Sequence, residues 1–248
     1  MRAACLLCLL MFSLSLRAEP VPSLVVMTDL WPPFRTQGPD GALQGLDIDL
    51  LEQLSQRTGL RFDVQRAPWA RGLAALEQGR ADLMTGLAKT PEREVYIDYL
   101  PQPYYACSPR FYTAPAHATA LRRYEQLAGL RIGYVLESAY FEPFDSDRTL
   151  NKVAVTTETQ LLDMLARGRL HAVIGTDCQV DYQLRDSNRH EQVVKAAFQP
   201  DARTELYIGF SRLRARHAEY RKLSEALEQL QAEGWITRAA LRYQGANR

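Results

Sequence analysis

The sequence predicts an α/β protein of two lobes, each a mostly parallel sheet flanked by helices, and three observations carry the prediction. Strand-like apolar runs alternate with helical patterns along the chain, the order expected of layered α/β folds. The stretch GLAALEQGRADLMTG (72–86) returns as LLDMLARGRLHAVIG (161–175), the same helix, Gly-Arg turn and buried strand, so one structural unit occurs twice. One more strand and an amphipathic helix follow the second copy, which brings the chain back to the lobe where it began.

The elements follow in order. Met1 and Arg2 precede an apolar run from Ala3 to Leu16, and Ala18 supplies the small residue of a cleavage site, so residues 1–18 read as a signal peptide and the mature chain as periplasmic. The run falls short of the roughly 20 residues that span a bilayer. Ser23 to Met27 is a first strand. Asp47 is placed to cap a helix that carries Leu50, Leu51 and Leu54 and that Gly59 ends. LRFDV, entered from Leu60, is the next strand, and a helix with Leu73 and Leu76 on one face stops at Gly79 before Ala81 to Met84. In the second copy LRIGYV (130–135) is a strand, Thr157 and Gln160 form a capping box, and Leu161, Leu162 and Leu165 mark a helix face. TELYIGF (204–210) is the last strand. Tyr220, Leu223, Leu227 and Leu230 stripe a final helix that ends at Gly234. The expected divisions are 19–108 for the first part of lobe 1, 109–200 for lobe 2, and 201–248 for the return to lobe 1 and the C-terminal helices.

The chain carries 30 basic and 29 acidic residues; without residues 1–18, which contain Arg2 and Arg17, the balance is 28 to 29. No basic footprint for nucleic acid remains. His117, His171, His190 and His217 lack metal-ligand spacing, and neither a G-x-S-x-G elbow nor a phosphate loop is present, so no metal or cofactor is expected. Loss of Cys5 and Cys8 with the leader leaves Cys107 and Cys178 in an oxidising compartment, either as a disulfide or as two buried thiols. Ligands of open α/β sheets bind beyond the carboxyl ends of the strands, and two facing lobes pool two such places in one cleft.

DLWPPF (29–34), GLDIDLLEQL (45–54), PWARGLAALEQGRADLMTG (68–86) and TPERE (90–94) resemble the first lobe of the bacterial solute-binding proteins of family 3, which include the receptors of polar amino-acid ABC transporters. LAGLRIGYV (127–135), LLDMLARGRLHAVIGTD (161–177), ELYIGFSR (205–212) and AEGWI (232–236) extend the likeness over essentially the whole mature chain. The resemblance implies the type II periplasmic-binding-protein fold, with two hinge strands. It also implies a monomeric receptor that closes on a small polar ligand, an amino acid, and offers it to an ABC permease of the inner membrane or to a sensor protein. An enzyme on the same scaffold, similar to periplasmic dehydratases of cyclohexadienyl acids, is the alternative; Glu137 is then the candidate acid. The expectation is binding without chemistry.

The resemblance assigns site residues position by position. Arg93, in Thr90-Pro91-Glu92-Arg93, falls where the family's arginine pairs with the ligand carboxylate, a task suited to a planar, permanently charged fork. Thr85, Gly86 and Ala88 occupy the places of small hydroxyl residues, and only Thr85 keeps a hydroxyl. Trp31 and Trp69 are candidate walls, whereas Phe34 reads as lobe core. Arg71 is either a second anion contact or a solvated charge at a helix start. In the second lobe Glu137-Ser138-Ala139 replaces a glycine-hydroxyl turn. The family's amine-binding aspartate falls on Thr176, with Asp177 one step later; a one-residue shift turns a strand side chain to the other face, so Asp177 is either displaced or restored by a bulge.

Overall fold

The computed structural model describes residues 23–185 and 187–245; the predicted leader, residues 1–18, lies outside them. The chain runs β1 (Ser23–Thr28), β2 (Thr36–Gln37), β3 (Leu43–Gln44), α1 (Leu46–Thr58), β4 (Arg61–Arg66), α2 (Trp69–Glu77), β5 (Leu83–Leu87), α3 (Pro91–Glu94), β6 (Ile97–Tyr99) and β7 (Tyr105–Cys107). It continues through β8 (Pro109–Thr113), β9 (Arg131–Val135), β10 (Asn151–Val155), α4 (Glu158–Ala166), β11 (Ala172–Thr176), α5 (Asp177–Arg185), β12 (Val194–Lys195), β13 (Thr204–Ser211), α6 (His217–Ala232) and α7 (Trp235–Gly245).

Two sheets result. In the first, in the order β4-β1-β5-β13-β6, β1 lies parallel to β4 and β5, while β13 runs antiparallel to β5, β6 and β7. In the second, in the order β10-β9-β11-β8-β12, β9 lies parallel to β10 and β11, and β8 runs antiparallel to β11 and β12. The parallel character is thus confined to three strands of each sheet. Antiparallel strands carry the chain between lobes: only Ser108 separates β7 of the first sheet from β8 of the second, and β13 brings the chain back.

The repeated sequence folds as a repeat. Gly79 and Gly168 both adopt φ 67°, a conformation open to glycine without steric cost. In both copies the following arginine N–H closes the helix end, Arg80 to the Ala75 carbonyl and Arg169 to the Met164 carbonyl, each at 2.8 Å. The helices bury what their spacing foretold. Leu73 and Leu76 of α2 pack with Met84, and Leu161, Leu162 and Leu165 of α4 pack with Tyr112, Val173 and Val180. Each such leucine contributes about 1.5–3 kcal/mol, more than a helix of this length gains from its own hydrogen bonds. On the other face of the first sheet α1, α6 and α7 share one core that includes Leu50, Leu54, Leu223 and Leu230. Cys107, at the end of β7, is disulfide-bonded to Cys178 on α5, with Cα atoms 5.7 Å apart, so the bond ties a strand of the first sheet to the second lobe. Among the described residues no helix is long and apolar enough to cross a membrane.

Candidate functional site

Between the lobes lies a cleft lined by residues of both. Its first-lobe wall comes from residues at the ends of β1, β4 and β5, and its second-lobe wall from residues at the ends of β9, β10 and β11, the carboxyl-end location expected of open α/β sheets.

The first-lobe wall is built on a buried charge hub. Asp47 is fully buried. One of its oxygens accepts a short hydrogen bond from Arg35 and a 2.7 Å bond from the Thr85 hydroxyl, and the other accepts from the Tyr104 hydroxyl at 2.7 Å. Burial, with Asp47 beside it, pushes the Tyr104 hydroxyl well above its ordinary range, so it remains a donor. Asp47 is therefore not the helix cap that the sequence suggested: Gly45 holds that position, and Asp47 sits inside the first turn of α1 with its carboxylate spent on tertiary partners. Arg35 is held further by its Nε–H to the Asp29 carbonyl at 2.9 Å, and its guanidinium carbon lies 5.2 Å and 5.9 Å from the ring centroids of Trp31 and Trp69. Trp31 stacks on the buried Phe34. Gly86 permits this floor, because a Cβ there would stand 2.6 Å from Arg35.

Arg93 reaches the same cleft from α3. Thr90 caps α3 and Pro91 opens it, a placement that fits the missing N–H of proline. The Arg93 guanidinium donates to the Ala88 carbonyl at 2.9 Å and, across the cleft, to the Glu137 carbonyl at 2.5 Å. The Trp69 indole N–H donates to that same carbonyl at 3.1 Å.

The second-lobe wall differs from expectation in several respects. Glu137 adopts φ 61°, the left-handed region that favours glycine. Its side chain is exposed and its carbonyl, not its carboxylate, faces the first lobe. Ser138 and Thr176 line the cleft, and the Thr176 hydroxyl is buried without a hydrogen-bond partner. Asp177 does not join them: β11 ends at Thr176 and α5 begins at once, with no bulge, so the Asp177 carboxylate turns away to accept the Ser108 and Cys178 N–H groups, each at 2.8 Å. In its place stands Glu158, the first residue of α4, 6% exposed, with one carboxyl oxygen unpartnered in the cleft wall; burial alone pushes its pKa up to about 8. Gln179 and Tyr140 complete this wall.

Of the residues singled out from the sequence, Trp31, Trp69, Gly86, Ala88, Arg93, Ser138 and Thr176 line one cleft. Thr85 lies behind that wall, its hydroxyl committed to Asp47, and Arg71 is exposed outside the cleft. Arg35, Glu158 and Gln179 were not anticipated. Arg35 follows the aromatic turn directly and Glu158 follows a capping threonine, but neither position carries a local signal that separates a cleft residue from a surface charge. Among the described residues the one grouping of metal-ligand type, Cys107, Asp177 and Cys178, has both sulfurs in the disulfide.

Residues 24–246 match the family model of the bacterial extracellular solute-binding proteins, family 3. The chain belongs to this family. Over 120 residues, 48% of the chain and 45% of the relative, this family 3 member is 26% identical to the L-cystine-binding protein TcyJ of Escherichia coli, so the likeness spans under half the relative's length. In fold it is similar to an amino acid ABC transporter substrate-binding protein of Streptococcus pneumoniae solved with L-arginine, with TM-score 0.78, 18% identity, and coverage of 89% of this chain and 93% of that one. It is also similar to a histidine kinase sensor domain that resembles periplasmic binding proteins, with TM-score 0.81, 19% identity, and coverage of 90% and 96%. The two-lobed architecture is thus that of periplasmic binding proteins, and the family and the Streptococcus pneumoniae neighbour are binding proteins.

Proposed function

We propose that this protein is a periplasmic receptor that captures an amino acid between its lobes, with the ligand carboxylate on Arg93, and delivers it to an ABC permease. One observation carries the reading: Arg93 is 7% exposed, and its hydrogen-bond partners are two neutral carbonyls. A buried charge is costly unless paired, and a bound carboxylate supplies the ion pair that Arg93 lacks among the described residues. The indole walls of Trp31 and Trp69 add apolar cover. The relatives named for L-cystine and solved with L-arginine set the ligand class to try first. The test is the melting temperature of refolded mature protein across the proteinogenic amino acids and cystine. A ligand at a hundredfold excess over its dissociation constant adds about 2.7 kcal/mol of apparent stability, and Arg93→Ala is expected to abolish the shift while leaving the unliganded melt unchanged. No response to any of them, or an equal response in Arg93→Ala, overturns the assignment.

A protonated carboxyl within a closed cleft is also what a general acid needs, and Glu158 gives this support to the dehydratase-like alternative. In that reading Glu158, rather than the exposed Glu137, holds the proton. Conversion of a hydroxylated cyclohexadienyl acid to an aromatic product, followed by ultraviolet absorbance, establishes the enzyme; an unchanged substrate removes it.

A further inference from the structure

Glu158, Thr176 and Gln179 line the second-lobe side of the cleft, and among the described residues one Glu158 carboxyl oxygen and the Thr176 hydroxyl are buried there without a hydrogen-bond partner. The fold makes room for the carboxyl there: a Cβ on Gly175 would stand 2.7 Å from Glu158 Oε1. Among the described residues no ion pair reaches Glu158. Glu158 acts on the Tyr112 hydroxyl on β8 and the Tyr140 hydroxyl after β9; burial, with Glu158 adding to it, pushes both up, so both stay neutral. On α5, Asp177 is turned to backbone amides and Asp181 is paired with Lys195. Asp145 accepts the Tyr140 N–H, and Arg35 and Arg93 stand in the opposite wall.

We propose that Glu158 is the cation-recognition group of the second lobe, and that capture of an organic cation, an ammonium or a guanidinium, expels the proton that Glu158 carries in the empty cleft. This rests on the receptor reading above. The step is an exchange without covalent chemistry: the neutral carboxyl gives its proton to bulk water or buffer, and the carboxylate left behind pairs with the ligand's N–H donors. Burial of Glu158, which holds the carboxyl up to about 8, sets the consequence. Between the pKa of the complex and that of the free protein, the fraction of free protein already ionised falls tenfold for each pH unit below about 8, and apparent affinity falls with it.

The experiment is calorimetric titration of the mature protein and of Glu158→Gln, in two buffers of different ionisation heat, from pH 6 to pH 8.5. The probes are L-arginine, L-glutamine and agmatine. The wild type is expected to release close to one proton per ligand bound at pH 6.5 and to gain about tenfold in affinity per pH unit until the rise levels off near pH 8. Glu158→Gln is expected to release none and to bind independently of pH. L-Glutamine with proton release assigns the α-ammonium to Glu158, whereas L-arginine and agmatine without L-glutamine assign the side-chain cation. Amino acids that bind with buffer-independent heat, or a Glu158→Gln variant that matches the wild type in affinity and proton count, overturn the proposal and leave the receptor reading intact. Agmatine that binds alone with proton release overturns the amino-acid reading and keeps the proposal. A panel in which none of the three probes binds overturns the proposal, and the receptor reading falls with it when the amino-acid and cystine melts are silent too.

Discussion

Replacing Asp47 by Asn tests whether the first-lobe wall depends on a single buried charge. Asp47 is fully buried and Arg35 is 2% exposed, so neither side chain can recover its partner's contribution from water. Asn keeps the shape and one acceptor oxygen, enough for the Tyr104 or the Thr85 hydroxyl, but its amide turns N–H donors toward Arg35, which is itself a donor. Removal of one partner from a buried pair costs about 3–5 kcal/mol, most of it from the charge left behind. Against a typical domain stability of about 5–15 kcal/mol, this is a large fraction. Urea unfolding of the two proteins, followed by circular dichroism, reads the loss directly. Because Arg35 lies over Trp31 and Trp69, the emission of the native variant should shift as well. A loss below about 1 kcal/mol, the range typical of exposed pairs, with unchanged emission refutes the argument that this hub positions the aromatic wall.

Three further outcomes follow from particular contacts. Glu137→Gly relieves left-handed strain at φ 61°, a relief of about 1–3 kcal/mol against about 0.5–1 kcal/mol for the added chain freedom of glycine; a thermal melt should show the variant as stable as the wild type or more so, and a clear loss contradicts the strain. Reduction of the Cys107–Cys178 bond, or Cys107→Ala with Cys178→Ala, releases a loop of sequence separation 71, worth about 4 kcal/mol in the chain-entropy account; a urea midpoint unmoved by reductant refutes it. For Asp82 burial works to raise the carboxyl pKa, but the bonds from Arg216, the Val25 N–H and Arg214 outweigh it and hold the pKa below the ordinary range. A depressed native pKa gives stability that is present above the unfolded value and lost as pH falls through the native one, so acid unfolding of Asp82→Asn should be shallower below about pH 4 than that of the wild type.

Much of the scaffold was legible because its signals are local. The leucine spacing of α2 and α4 and the Gly-Arg turns at Gly79 and Gly168 are properties of a few consecutive residues, and the structure realises both turns with the same φ and the same backbone bonds. Where a residue's partners lie far along the chain, the local signal misleads. Asp47 reads as a cap because caps are common for aspartate near a helix start, yet its partners are Arg35, Thr85 and Tyr104.

The second lobe shows the limit more sharply. The sequence raised a displaced acid at Asp177, and strand alternation gave the reason to doubt that it faces the cleft; the structure ends β11 one residue earlier and spends that carboxylate on the amides of Ser108, at the crossing between lobes, and Cys178, on α5. The acid in the cleft wall is Glu158 instead, beside a threonine whose hydroxyl accepts the Gln160 N–H as a cap should. A glutamate just after a capping residue is ordinarily a solvated charge that complements the helix dipole, and nothing in its neighbours along the chain says otherwise. What makes it different is that β11 supplies a glycine at 175 rather than a side chain, so the carboxyl folds inward over the strand. The site chemistry of this lobe is therefore written in one residue that is present and one side chain that is missing, on elements 17 positions apart, and only the folded chain brings the two together.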